Sequence, residues 1–159
     1  MADFGLAFAQ LLGNEGGFVD NPKDPGGATR YGITRRVALA NGYAGQMQDF
    51  PLEQARDIAK RLYWDPLHCD QYDPGVAFDL LDANYNGGHV VLWMQQAAGV
   101  NADGIIGPQT ISAVKSAPPN QFRRRLAAMR LNYLTALPTW PEFGRGWARR
   151  IASNLLRES

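Results

Sequence analysis

The sequence predicts a mainly α-helical protein with one small turn or β-hairpin region near residues 15–33, on three observations. Apolar residues recur at helical spacing through most of the chain. Proline, glycine, aspartate and threonine punctuate those stretches where helices start and stop. No convincing run of period-two alternation appears anywhere, and the one non-helical stretch of any length is the segment from about 15 to 33. A chain of 159 residues fits one domain, or one domain with a small appended subdomain, and is long enough to bury a core.

The elements follow in order. In "DFGLAFAQLLG", Phe4, Phe8, Leu11 and Leu12 share a helical face, with Asp3 as N-cap and Gly13 as the stop, so Glu15 falls just past the first helix. "TRRVALANG" predicts a short helix capped by Thr34. "DFPLEQARDIAKRLYW" predicts a longer one with Leu52, Ala55, Ile58, Ala59 and Leu62 on one face. "DPGVAFDLLDANYN" has Asp73 as cap and Pro74 in the first helical position, and a Gly87-Gly88 break separates it from "HVVLWMQQAAG". Pro108 repeats the proline-first pattern in "GPQTISAVKSA". Two last helices, about Asn120 to Leu137 and about Phe143 to Arg157, flank "PTWPE" with its two prolines.

Bulk properties narrow the function classes. The lone Cys69 excludes an internal disulfide. Apolar residues are never continuous for the roughly 18 positions of a membrane span, and Asp3 sits where a signal peptide would carry positive charge. A soluble protein made in the cytoplasm is expected. Net charge is +1 but unevenly spread. Residues 1–114 carry seven Lys/Arg against thirteen Asp/Glu, and residues 115–159 carry nine against two, so −6 and +7 sum to +1. The basic C-terminal helices are therefore expected to meet an anionic surface.

The stretch "NEGGFVDNPKDPGGATRYGIT", residues 14–34, is where chemistry is expected. A surface loop with solvated charges would explain its glycines and prolines. Yet Gly16, Gly17, Gly26, Gly27 and Gly32 in one segment are costly in entropy unless the backbone must take a particular shape or approach a ligand closely. Eight residues separate Glu15 from Asp24 and four separate Asp24 from Thr29, so one hairpin-like turn can bring all three to a common cleft. Hydrolysis of a glycosidic bond needs a carboxylic acid to protonate the leaving oxygen and a second group to hold water or stabilise positive charge on the other sugar face. A glutamate at the end of an apolar helix is partly shielded from water, which favours the protonated acid.

This stretch resembles the signature of glycoside hydrolase family 108, bacterial and phage muramidases: Glu-Gly-Gly, then Asp-x-Gly-Gly-x-Thr-x-x-Gly-Ile-Thr. The pattern falls on Glu15, Gly16, Gly17, Asp24, Gly26, Gly27, Thr29, Gly32, Ile33 and Thr34. The resemblance continues through "LYWDP", "FDLLDANYNGG" and "FGRGWARRI". "LWMQQAAGVNADGIIGPQTISAV" is similar to the predicted peptidoglycan-binding segment that ends such proteins. The resemblance implies a lysozyme-like helical fold, with residues 1–88 as catalytic region and 89–159 as a helical peptidoglycan-binding region packed against it as one compact unit. It implies cleavage of peptidoglycan between N-acetylmuramic acid and N-acetylglucosamine, with Glu15 as the catalytic acid. Asp24 and Thr29 take a water-positioning role by analogy with related phage lysozymes, which have one more residue between Asp and Thr. Asp20 competes with Asp24, which lies inside the pattern. A lytic transglycosylase, or a non-catalytic peptidoglycan-binding or secretion-assisting protein, is the alternative to a hydrolase. A binding module has no need for Glu15 in that setting.

Tyr31, Asn84, Tyr85 and Trp64 are candidates for sugar contact, since an aromatic face suits the C–H face of a pyranose and an amide suits an N-acetyl group. Trp64 and Tyr85 read equally as core residues. Cys69, His68 and His89 read as structural or solvent-facing, for nothing orients them as nucleophile and base. No spaced ligand set suggests zinc, and "GVNADGIIGPQT" has Gly99 and Thr110 where a calcium loop needs Asp and Glu. No metal or other cofactor is expected. Arg123, Arg124, Arg125, Arg130, Arg145, Arg149 and Arg150 come without a nucleic-acid reading motif or stacking platform, and suit an anionic cell envelope instead. The expected partners are glycan strands of peptidoglycan, with a monomeric chain acting on the wall after release and a holin-type pore as export partner.

Overall fold

The computed structural model describes residues 1–14 and 17–157, with the side chain of Asn14 outside the description. Among the described residues there are eight α-helices, of which the first seven contribute to one hydrophobic cluster while the last packs on the helix before it, and two short strands form an antiparallel hairpin. Helix α1 (Phe4–Asn14) starts where the Leu6 amide donates to the Asp3 carboxylate at 2.9 Å. It runs one residue past Gly13 and buries Phe4, Ala7, Phe8 and Leu11. Strands β1 (Thr29–Arg30) and β2 (Ile33–Thr34) follow, then α2 (Arg35–Ala40), capped as expected by the Thr34 hydroxyl, which accepts from the Val37 amide at 3.2 Å.

The next segment differs from expectation. Helix α3 (Leu52–Ile58) passes directly into a π-helical turn over Ala59–Trp64, where the Asp65 amide reaches back five residues to the Lys60 carbonyl. The wider winding turns each residue through a smaller angle, so Ala59 and Trp64, five apart, share the buried face. Leu62, expected on that face, is 39% exposed, and Leu52 is exposed too. Trp64 is 1% exposed and meets the Phe4 ring edge-on at 5.4 Å. It therefore belongs to the core and offers no face to a sugar, which corrects its candidacy as a glycan-binding residue.

Helix α4 (Pro74–Tyr85) is the central element, capped by Asp73 and buried almost all round from Val76 to Ala83. Two of its buried residues are aspartates, and the basic helices answer them. Helix α5 (Val90–Ala98) and α6 (Pro108–Ser116) lead to the long pair α7 (Pro119–Thr135) and α8 (Trp140–Leu155), the latter starting within "PTWPE" rather than after it. From α7, Arg123 meets Asp79 at 2.8 Å and Arg130 meets Asp82 at 2.7 Å, all four side chains buried. Arg123 also donates to the carbonyls of Asn154 and Arg157 at the end of α8, and the Asn154 amide donates to Asp82. Arg123 and Arg130 are thus internal counter-ions and cannot meet an anionic envelope. Arg124, Arg125, Arg145 and Arg149 are the exposed part of the basic set. Among the described residues no helix is long and apolar enough to cross a membrane.

Candidate active site

The hairpin explains most of the glycine-rich motif as backbone engineering. Tyr31 (φ 54°) and Gly32 (φ 76°) form a two-residue connection with both φ values positive, the type I′ geometry that suits the twist of paired strands. A tyrosine at that φ is strained, and the Tyr85 hydroxyl secures it by donating to the Tyr31 carbonyl at 2.9 Å. A Cβ on Gly26 would lie 2.6 Å from the Thr34 methyl, so only glycine lets the preceding loop close on β2. Ile33 is buried in the core and Thr34 caps α2. Among the described residues of the motif, the polar ones that line a groove are Asp24, Thr29 and Thr34, the last already engaged as a helix cap.

Asp24 closes a turn in which its Oδ1 accepts from the Gly26 amide at 2.8 Å and its carbonyl accepts from Gly27. Thr29 exchanges two backbone hydrogen bonds with Val19, at 2.7 and 2.8 Å. Its hydroxyl makes only a long contact, 3.4 Å, to the Val19 carbonyl, which leaves it available to a ligand. The groove has a volume of about 470 Å³. One wall is Gly17, Val19, Asp24, Thr29 and Gly32, the floor is Tyr85 and Asn86, and the other wall is Thr139, Phe143 and Trp147.

Glu15 lies outside the described residues. Gly17, two residues on, lines the groove. Of the other sequence candidates, Asp24, Thr29 and Tyr85 come together there, whereas exposed Asp20 does not line it. Tyr31 sits at the hairpin tip with its ring under the Arg30 guanidinium, 4.9 Å away, and is not part of the lining. Asn84 points elsewhere: its amide donates to the Tyr63 carbonyl at 3.2 Å, tying α4 to the π turn. Asn86 holds the position expected of Asn84. Its Nδ2 donates to the Asp82 carbonyl and its Oδ1 accepts from Arg150 at 2.6 Å.

The far wall went unseen in the sequence. Phe143 and Trp147 stand one turn apart on α8 with rings 5.7 Å apart, and Trp140 extends the row at 6.1 Å from Trp147. A Cβ on Gly144 would lie 2.4 Å from the Trp140 ring, so this glycine lets the indole lie flat along the helix. The spacing in "WPEFGRGW" was the available signal, readable only once α8 is known to face the hairpin.

A family profile described as Glycosyl hydrolase 108 matches residues 8–88, more than half the chain, and one described as Predicted Peptidoglycan domain matches residues 89–152. The chain belongs to the glycosyl hydrolase 108 family. A solved structure, that of Brucella abortus SagA, is similar to it, with 33% identity, a TM-score of 0.86, and coverage of 96% of this chain and 91% of that one. Among curated proteins none matches. As a glycosyl hydrolase 108 protein with a peptidoglycan domain, the chain is a glycoside hydrolase acting on peptidoglycan.

In this glycosyl hydrolase 108 protein the groove takes its walls from both matched segments: the hairpin and α4 from the first, α8 from the second. Arg150 of α8 reaches both Asn86 in the groove floor and, at 3.7 Å, the buried Asp82 carboxylate. Burial pushes the neighbouring Asp79 carboxyl up to about 6, against the pull of Arg123. Cys69 is buried, and desolvation holds its thiol far above the usual range, so it is no nucleophile at neutral pH. His89 packs edge-on against Tyr133 and Trp93. Gln95 orders the 99–107 loop by donating to Asp103, the Ile105 carbonyl and Thr110, and by accepting from the Gly104 amide. Among the described residues no group of three or more His, Cys, Asp or Glu side chains is arranged to hold a metal.

Proposed function

We propose that the protein is an N-acetylmuramidase that cleaves the bond between N-acetylmuramic acid and N-acetylglucosamine, acting at the cell wall after release from the cytoplasm. Glu15 is the general acid, and Asp24 and Thr29 orient the attacking water. The observation that carries this reading is the groove in which Asp24 and Thr29 face Phe143 and Trp147, with Gly17 of the Glu-Gly-Gly motif in its wall.

The Glu15 carboxyl gives its proton to the glycosidic oxygen as the bond from that oxygen to C1 of the muramic sugar breaks. Positive charge develops on the muramic ring, and water adds to C1 and yields its proton to the Asp24 carboxylate. Asp24 is suited to this because the Gly26 amide fixes one of its oxygens, while Thr29 has a hydroxyl free to steer the water. Phe143 and Trp147 offer apolar faces to the C–H faces of the sugars, above a floor of Tyr85 and Asn86. One water is consumed, and a reducing muramic end and a glucosamine hydroxyl are formed.

The test is mass spectrometry of purified peptidoglycan digested by the wild type and by Glu15→Gln. Reducing muramic ends are expected from the wild type, with a loss of at least about 10²-fold in the folded variant. Near-normal turnover by Glu15→Gln refutes the acid. Anhydro-muramic ends mean a transglycosylase, and no release means a binding protein.

A further inference from the structure

A second groove, of about 750 Å³, borders the same aromatic pair. It shares Val19, Phe143 and Trp147 with the first, so the two adjoin at those side chains. Its character is different. Among the described lining, the first groove carries the Asp24 carboxylate and no cation, while the charged side chains of the second are Arg149 and Arg150. Among the described residues nothing lies within 4 Å of where a Cβ on Gly146, also in its lining, would stand. Arg150 is engaged with Asn86 and Asp82, whereas Arg149, the next residue back on α8, is exposed at the rim.

The two linings suit a substrate with an uncharged polymer in the first groove and carboxylates branching from it into the second. Peptidoglycan has that form: its muramic sugars carry peptides whose free carboxylates stand sideways from the glycan strand. We propose that the second groove is a subsite for the stem peptide, with the Arg149 guanidinium receiving a peptide carboxylate, so that the enzyme prefers peptide-substituted glycan to the bare strand. This rests on the muramidase reading. A volume of that size is within the range of sites that enclose small ligands, and a guanidinium presents paired N–H donors that match a carboxylate. Helix α8 then contributes twice, holding the sugar with its aromatic row and the branch with its arginine.

The test compares wild type, Arg149→Ala, Arg149→Glu and Arg149→Lys on solubilised peptidoglycan with intact stems and on the same strands after an amidase has removed them. With stems, Arg149→Glu is expected to raise KM about tenfold, Arg149→Ala less, and Arg149→Lys least. On stripped strands the change should stay within about threefold, the size of a remote surface-charge effect. Equal losses on both substrates, or no loss with stems intact, overturn the subsite. Calorimetric titration of a disaccharide-peptide and of the peptide-free disaccharide gives a readout independent of turnover. If the wild type cleaves neither substrate, the muramidase reading fails. The subsite then stands on Arg149-dependent preference for the peptide-bearing fragment and falls without it. Circular dichroism confirms that the exposed substitutions leave the helices intact.

Discussion

Replacing Arg123 with leucine tests the clamp between the basic helices and α4. The wild-type side chain is 3% exposed, pairs with Asp79 at 2.8 Å and donates to two carbonyls at the end of α8. Leucine fills part of the space but leaves a buried carboxylate without its counter-ion, a change that costs about 3–5 kcal/mol. In a chain of this length that lowers the melting temperature by about 6–20 °C. The loss should depend on pH. The folded Asp79 pKa, about 6, lies above its ordinary 3.8 because burial disfavours the anion. Its stabilising contribution is therefore fully present below about 3.8 and is lost as pH rises through about 6. Without Arg123 the folded pKa moves higher still, so the variant keeps losing stability above pH 6 where the wild type has levelled off. Urea unfolding of both proteins from pH 4 to pH 8 is the assay. The gap should be smallest at pH 4, where Asp79 is neutral in both, and widest at pH 8. A gap that is constant with pH, or absent, refutes the assignment of Arg123 as the counter-ion of Asp79.

Asp24→Asn and Thr29→Ala should each reduce turnover more than Asp20→Asn, and because asparagine keeps the acceptor for the Gly26 amide, Asp24→Asn should melt like the wild type; greater damage from Asp20→Asn reverses the assignment. Trp147→Ala removes the ring shared by both grooves and should raise KM for peptidoglycan with little effect on melting, whereas a fall in stability with unchanged KM makes it a packing residue. Arg124→Glu with Arg125→Glu should change stability by no more than about 0.5 kcal/mol per site, since both are exposed; slower lysis of whole walls with weaker salt dependence marks them as attracting the wall, and unchanged lysis marks them as a solvated face. Gly88→Ala combines φ +121° with a Cβ 2.4 Å from the Trp93 ring and should cost about 1–3 kcal/mol, read as a drop in the urea midpoint.

Helix starts were legible because their chemistry is local: Asp3, Thr34 and Asp73 each cap the helix that follows, as their types and positions announce. The hairpin was legible for the same reason, since glycine at 32 meets a positive φ that the turn requires. What failed depended on partners far along the chain. Periodicity put Leu62 in the core because it assumes α winding, and nothing nearby in sequence announces the π turn that substitutes Trp64. Arg123 and Arg130 read as surface charge because the aspartates that neutralise them lie 44 and 48 residues away. Of the groove lining, Asp24 and Thr29 are legible from the motif and Tyr85 from its aromatic ring, but that Asn86 rather than Asn84 lines the floor depends on the helix phase, and the α8 wall depends on the tertiary fold.

The clamp also sets the order in which the molecule can be completed during its synthesis. When residue 88 has left the ribosome, α4 already carries Asp79 and Asp82, but the arginines that neutralise them and the helix that faces the hairpin are still unmade. Reaching the end of α8 takes 67 more residues, 155 less 88, or about 3–13 s at roughly 5–20 residues per second. Until then the nascent chain has half a groove and two bare carboxylates in what will be its interior. A chain interrupted before α8 therefore lacks one wall of the groove.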